Sequence, residues 1–138
     1  VKPSDSPVPT FGGDYRGKCP KEATEQVAFF NRVRQEYPET WGRIAIHIRN
    51  EDRMATARAM KLHKLEGLTV GASDIQIPGS PSLCIELKRL DPRLSTLSPE
   101  QAAYLVAAEK AGAFVAVCFG ALAAWECFET WLDLQKTH

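Results

Sequence analysis

From Gly67 to Lys88 the chain holds two short alternating stretches, Asp74-Ile-Gln-Ile77 and Leu83-Cys-Ile-Glu-Leu-Lys88, separated by the turn signal Pro78-Gly-Ser-Pro81. This predicts a β-hairpin with strands over about 73–77 and 83–88. Side chains alternate faces along a strand. Ile75 and Ile77 therefore share one face of the first strand, and Asp74 and Gln76 the other. On the second strand Leu83, Ile85 and Leu87 point one way, and Cys84, Glu86 and Lys88 the opposite way. If both apolar faces meet one core, Asp74, Glu86 and Lys88 converge on the other side. Two carboxylates and an amine in that position can hold a divalent metal with a water beside it. The competing reading is a half-exposed hairpin whose Glu-x-Lys is a solvated ion pair.

The surrounding chain predicts an α/β order. Residues 1–20 contain four prolines and three glycines and read as a flexible N-terminal arm, with a single domain over 21–138. Glu22, Gln26, Phe30 and Val33 form one stripe of a helix over about 21–36, which Pro38 ends. Ile44, Ile46 and Ile48 alternate with Ala45 and His47 as a strand, and a helix over about 52–66 stops at Gly67. Ser98-Pro99-Glu100-Gln101 starts a helix that runs to Ala111, with an N-cap serine and proline at the first helical position. Ala113 to Phe119 is a continuous apolar run that fits a buried strand. Residues 121–135 form a closing helix carrying Leu122, Trp125, Phe128, Trp131 and Leu132. The order is α-β-α-β-β-α-β-α, with strands 83–88 and 113–119 joined as a parallel crossover.

With 138 residues the chain is long enough for one real core. Its formal net charge of zero argues against a general nucleic-acid-coating protein, so polyanion contact requires a local patch. The four cysteines, Cys19, Cys84, Cys118 and Cys127, lack metal-ligand spacing, and His47, His63 and His138 are scattered, so zinc and a disulfide framework are not expected. No signal peptide or membrane span is expected, and the expected setting is cytoplasmic.

Taken in order, these motifs resemble the VRR-NUC family of the PD-(D/E)xK nuclease superfamily, in its small stand-alone phage and bacterial form. The resemblance covers about residues 22–132. It rests on Glu22-Ala-Thr-Glu-Gln26, on Arg49-Asn50-Glu-Asp-Arg53, and on Gly71-Ala-Ser-Asp74, where Ser73 stands in place of the family's proline. Glu86-Leu-Lys88, Leu97-Ser-Pro-Glu-Gln101 and the glycine before the apolar strand, Gly112, complete the series. The resemblance implies a restriction-endonuclease-like core with a mixed four-stranded sheet flanked by helices.

It further implies an Mg²⁺- or Mn²⁺-dependent deoxyribonuclease. Hard cations take oxygen ligands, and Asp74 and Glu86 are the candidate carboxylates, with the Leu87 carbonyl a third ligand by resemblance. Lys88 has three open roles: orienting the attacking water, deprotonating it, or stabilising transition-state charge. Glu22, sharing a helical face with Gln26, is the candidate additional or supporting carboxylate. Glu25 competes with it, but lies about 60° off the stripe and is expected to face water. Gln101 is a candidate partner of Lys88 or of phosphate. Arg49, Asn50, Arg53, Lys61 and Lys64 form the candidate nucleic-acid patch, joined by Arg58 and extended by Lys88, Arg89 and Arg93. The inward side of the patch helix is Ala55, Ala59 and Leu62. By the same resemblance the expected partners are branched DNA such as four-way junctions and a second copy of the chain, with Trp125, Phe128 and Trp131 as interface candidates or core. The alternatives are a catalytically silent nucleic-acid-binding module of the same fold and a protein-interaction scaffold.

Overall fold

A computed structural model describes residues 1–48, 57–67 and 69–135. The expected hairpin is present as β3 (Ile75–Ile77) and β4 (Leu83–Lys88), antiparallel, with Ile75 opposite Ile85 and Ile77 opposite Leu83. α4 (Pro99–Lys110) then carries the chain to β5 (Phe114–Phe119), which pairs parallel with β4. The crossover read from the sequence is therefore real. Ahead of it lie β1 (Thr10–Phe11), α1 (Glu22–Glu36), α2 (Trp41–Ile44), β2 (Ile46–His47) and α3 (Ala57–Leu65), and α5 (Ala121–Gln135) closes the chain.

The sheet has five strands in the order β1-β5-β4-β3-β2, which corrects the expected four. The additional strand comes from the segment read as an arm: Thr10 and Phe11 pair parallel with Val117 and Cys118. That pairing covers the β5 edge, whose amides and carbonyls would otherwise lack partners. The same segment is tied down further along. Arg89 donates to the carbonyls of Cys19 (2.9 Å) and Pro20 (3.1 Å), and the Gly17 amide donates to Asp91 Oδ2 at 2.9 Å.

Both faces of the sheet are covered. Odd-numbered β3 and β4 residues, with Ala116 and Cys118, pack under α1 and α5 against Phe29, Phe30, Val33, Phe128 and Trp131. On the other face Cys84, Val115, Val117 and Phe119 pack with Leu105 of α4. Every β4 residue is buried in consequence. Trp125, Phe128 and Trp131 all belong to the first cluster, which removes them as interface candidates. The Trp131 indole N–H, which needs a partner once buried, donates to the Pro81 carbonyl at 2.7 Å and ties α5 to the hairpin turn.

The expected strand around residues 44–48 is shorter, because Trp41 to Ile44 form a helical turn instead. Trp41 packs edge-on to Trp131, with ring centroids 4.9 Å apart, and this tertiary contact overrides the local alternation. In the remaining β2, His47 pairs with Ile75 and so shares the α1 face, while Ile46 is 48% exposed. Leu62, expected on the inner side of its helix, is also exposed. Among the described residues no helix is long and apolar enough to cross a membrane.

Candidate active site

The antiparallel register sets Asp74, one residue before β3, beside Glu86 on β4. Both are buried, and so is Lys88, one pleat beyond Glu86. The Leu87 amide donates to Asp74 Oδ2 at 2.9 Å, which holds the aspartate against the middle of β4. Successive strand residues send their backbone groups to opposite sides. Lys88 turns its carbonyl toward β5, where it accepts from the Gly120 amide at 2.9 Å. Leu87 therefore presents its backbone groups on the Asp74 side, where a carbonyl ligand would be needed.

Glu86 is buried without the partners a carboxylate needs. Neither of its carboxylate oxygens has a hydrogen-bond donor, although Oε1 lies 3.5 Å from the Lys88 amine. Burial, then the charge of Asp74, pushes its pKa up to about 9, against the opposing pull of Lys88. Burial also raises Asp74, opposed first by the Leu87 amide and then by the Glu86 carboxyl. Two ionised carboxylates are both acceptors, so this facing pair needs a shared proton or a cation between them.

Lys88 is held on its other side. Its amine donates to Gln101 Oε1 at 3.1 Å, and the same oxygen accepts from the Ser98 amide at 3.0 Å. Ser98 Oγ in return accepts from the Gln101 amide, which completes a capping box at the start of α4. The N-terminus of α4 is thus built into the site. The loop before β3 packs against it so closely that a Cβ on Gly71 would lie 2.4 Å from the Glu100 carbonyl group.

Glu22, at the start of α1, lines two openings that each border part of this group. One, of about 420 Å³, has Lys88, Gln101, Gly71 and Ser95 in its wall. The other, of about 340 Å³, has Gln26, His47 and Asp74. Burial raises the Glu22 pKa, Lys88 lowers it, and Asp74 raises it again. Among the described residues no three His, Cys, Asp or Glu side chains close into a metal cage. Two carboxylates plus a backbone carbonyl nonetheless suit a small hard cation, which keeps most of its waters. The undonated oxygens of Glu86 fit that use.

Glu25 does not face water as expected. Its carboxylate accepts from the Ala121 amide at the N-terminus of α5, a favourable place for an anion. Arg89 and Arg93 do not extend a free basic patch. Arg89 serves the carbonyls of the N-terminal segment, and Arg93 pairs with Asp91 at 2.8 Å. Arg58, Lys61 and Lys64 are exposed on α3. Arg49, Asn50 and Arg53 lie outside the described residues.

Three neighbours of the site were missed by the sequence reading. His47 Nδ1 lies 3.0 Å from the Asp74 carbonyl, and the Gln76 amide donates to Tyr104 OH at 2.7 Å and to Ser73 Oγ at 3.3 Å. Ser73, in the position of the family's proline, is fully buried within this network. A signal existed for part of it, since Gln76 shares the strand face of Asp74, and Tyr104 follows Gln101 by three residues on one helix.

No family model and no curated protein matches the chain. A solved structure described as a VRR_NUC domain protein is similar to it with a TM-score of 0.68 and 20% identity, over 86% of this chain and 93% of its own. The resemblance read from the motifs thus holds at the level of architecture, and the chain has the fold of a VRR-NUC domain protein.

Proposed function

We propose that this chain is a VRR-NUC nuclease that hydrolyses DNA phosphodiester bonds with Mg²⁺ or Mn²⁺. The observation that carries the reading is the buried, facing pair of Asp74 and Glu86, with no donor to the Glu86 oxygens. A structural ion pair has no need of such an arrangement, and a cation site does. Support also comes from the fold it shares with a VRR_NUC domain protein.

Asp74, Glu86 and the Leu87 carbonyl would hold the ion, with Glu22 beside them through a water. When bound, the ion neutralises charge on the phosphoryl oxygens and acidifies a water. Lys88 would place a cation beside the phosphoryl oxygens that gain negative charge, and Gln101 holds that amine in position. Glu22 lines both openings, where its carboxylate would accept a hydrogen bond from a metal-bound water. Exposed Arg58, Lys61 and Lys64, with Arg49, Asn50 and Arg53, supply phosphate contacts that carry no sequence information.

A preference for branched DNA such as four-way junctions, and assembly as a homodimer giving paired incisions, follow the family resemblance and belong to this proposal. So does a cytoplasmic setting in a bacterial or phage-infected cell. The test is a panel of labelled single strands, duplexes, flaps and four-way junctions incubated with Mg²⁺ or Mn²⁺. Cleavage that EDTA stops and Asp74→Ala abolishes is expected, fastest on the junction. Wild-type rates from Asp74→Ala would end the nuclease reading. Equal rates on junction and linear duplex would end the branched-DNA part, and a monomer by light scattering would end the dimer part.

A further inference from the structure

α1 carries the site's surroundings well away from the carboxylates. Glu22 and Gln26 sit at the metal end, and Val27, Asn31 and Arg34 continue along the helix at spacings of four and three. These pairings keep side chains on one side of a helix. The 340 Å³ opening over Asp74 and His47 shares Gln26, Val27 and His47 with a second hollow of about 210 Å³. Phe30, Asn31 and Arg34 complete the wall of that hollow. The two hollows, sharing these three wall residues, lie in sequence along α1 beside β2, from Asp74 toward Arg34. At 1.5 Å per residue, Glu22 and Arg34 are about 18 Å apart along the helix.

The lining has a definite chemistry. Val27, 59% exposed, offers an apolar wall, with the buried Phe30 ring beside it at the floor of the hollow. Gln26 lines both hollows, and its Nε2 is buried without a hydrogen-bond partner, an unmet donor that costs free energy. Asn31 adds a second carboxamide at the rim, able to donate and accept. The Arg34 guanidinium sits 5.2 Å from the centre of the Phe30 ring, held over its face, with the side chain exposed outward. A flat ligand with apolar faces, a donor–acceptor edge and an anionic link to its neighbour matches all four features. A nucleotide is such a ligand, and guanidinium planes stack on bases or pair with phosphate.

We infer that these hollows bind one unpaired nucleotide next to the cleaved phosphate. Its base lies against Val27 with its edge on the carboxamides of Gln26 and Asn31, and its far phosphate meets Arg34. The inference rests on the nuclease reading above and adds to it a single-stranded requirement on one side of the cut. It is separate from the backbone phosphate contacts proposed for α3.

The test uses oligonucleotides from which one base at a time is removed, leaving an abasic sugar, on either side of the cut. Wild-type kcat/KM should fall about tenfold for one flanking position, the scale of one lost base contact. The double variant Asn31→Ala/Arg34→Ala should lose that sensitivity and treat intact and abasic strands alike within about twofold. Both side chains are exposed, so the variant should fold. A double variant as sensitive as wild type would overturn the inference, as would a wild type indifferent to base removal at every flanking position. If no strand is cut with any metal, the nuclease reading fails on its own. The same comparison by fluorescence anisotropy in Ca²⁺, on intact and abasic strands, then decides the nucleotide site. A tenfold abasic penalty that the double variant lacks supports it, and absence of that penalty or of any binding overturns it.

Discussion

Gln101 Oε1 accepts from the Lys88 amine at 3.1 Å and from the Ser98 amide at 3.0 Å, so one atom both caps α4 and holds the site lysine. Gln101→Ala removes both bonds. The Ser98 hydroxyl still caps the helix, so the stability loss should be small, about 0.5–1 kcal/mol in urea unfolding. Cleavage should fall much further, about 10- to 100-fold, as Lys88 loses its fixed position. Equal, small effects on both measurements would make Gln101 a cap and nothing more.

Gly71 is the point where the loop before β3 touches α4. Its φ of +82° favours glycine, and a Cβ there would press on the Glu100 carbonyl group. Gly71→Ala should therefore destabilise by about 1–3 kcal/mol. It should also slow cleavage more than Gly67→Ala, whose added Cβ meets nothing within 4 Å. Parallel melts and rates for the two variants provide the check.

Glu86 makes stability depend on pH in a direction opposite to that of a salt-bridged acid. Its pKa is raised from 4.5 to about 9 on folding, so the native state holds a proton that the unfolded chain releases. The stabilisation from that proton is complete below about pH 4.5, declines as pH rises, and is gone above about pH 9. Thermal melts in EDTA should show this decline, and Glu86→Gln should flatten it. That variant should also be more stable than wild type at pH 8, by on the order of 1–3 kcal/mol. Added Mg²⁺ should raise the wild-type melting temperature more at pH 8 than at pH 6, since the ion competes with the proton. A flat wild-type profile would contradict the facing-carboxyl geometry.

Glu22 and Glu25 should separate by what they affect. Glu22→Gln should lower the cleavage rate with little change in stability, since its side chain lines the openings over Lys88 and Asp74. Glu25→Gln should cost about 0.5–1 kcal/mol by weakening the anion at the α5 N-terminus. Its effect on rate should be the smaller of the two. Reversed effects would show that Glu25 serves the reaction.

Elements whose signals lie within a few residues were legible without the fold. Period-two alternation on each side of Pro78–Pro81 was enough to bring Asp74 alongside Glu86, because one turn and one register follow from it. The Ser98-Pro99 start of α4 and the parallel crossover into β5 were legible for the same reason. Tertiary structure alone decided which surfaces each element would meet. Thr10 and Phe11 carry no strong strand signal and become a strand because β5 has an open edge to cover. Trp41 to Ile44 coil because Trp131, ninety residues later, packs against them. The alternation separates Asp74, Glu86 and Lys88 from the apolar side, yet it cannot tell that α4 buries that second face. That burial, supplied by residues far along the chain, leaves Glu86 without a donor, and it is the physical source of the proposed chemistry.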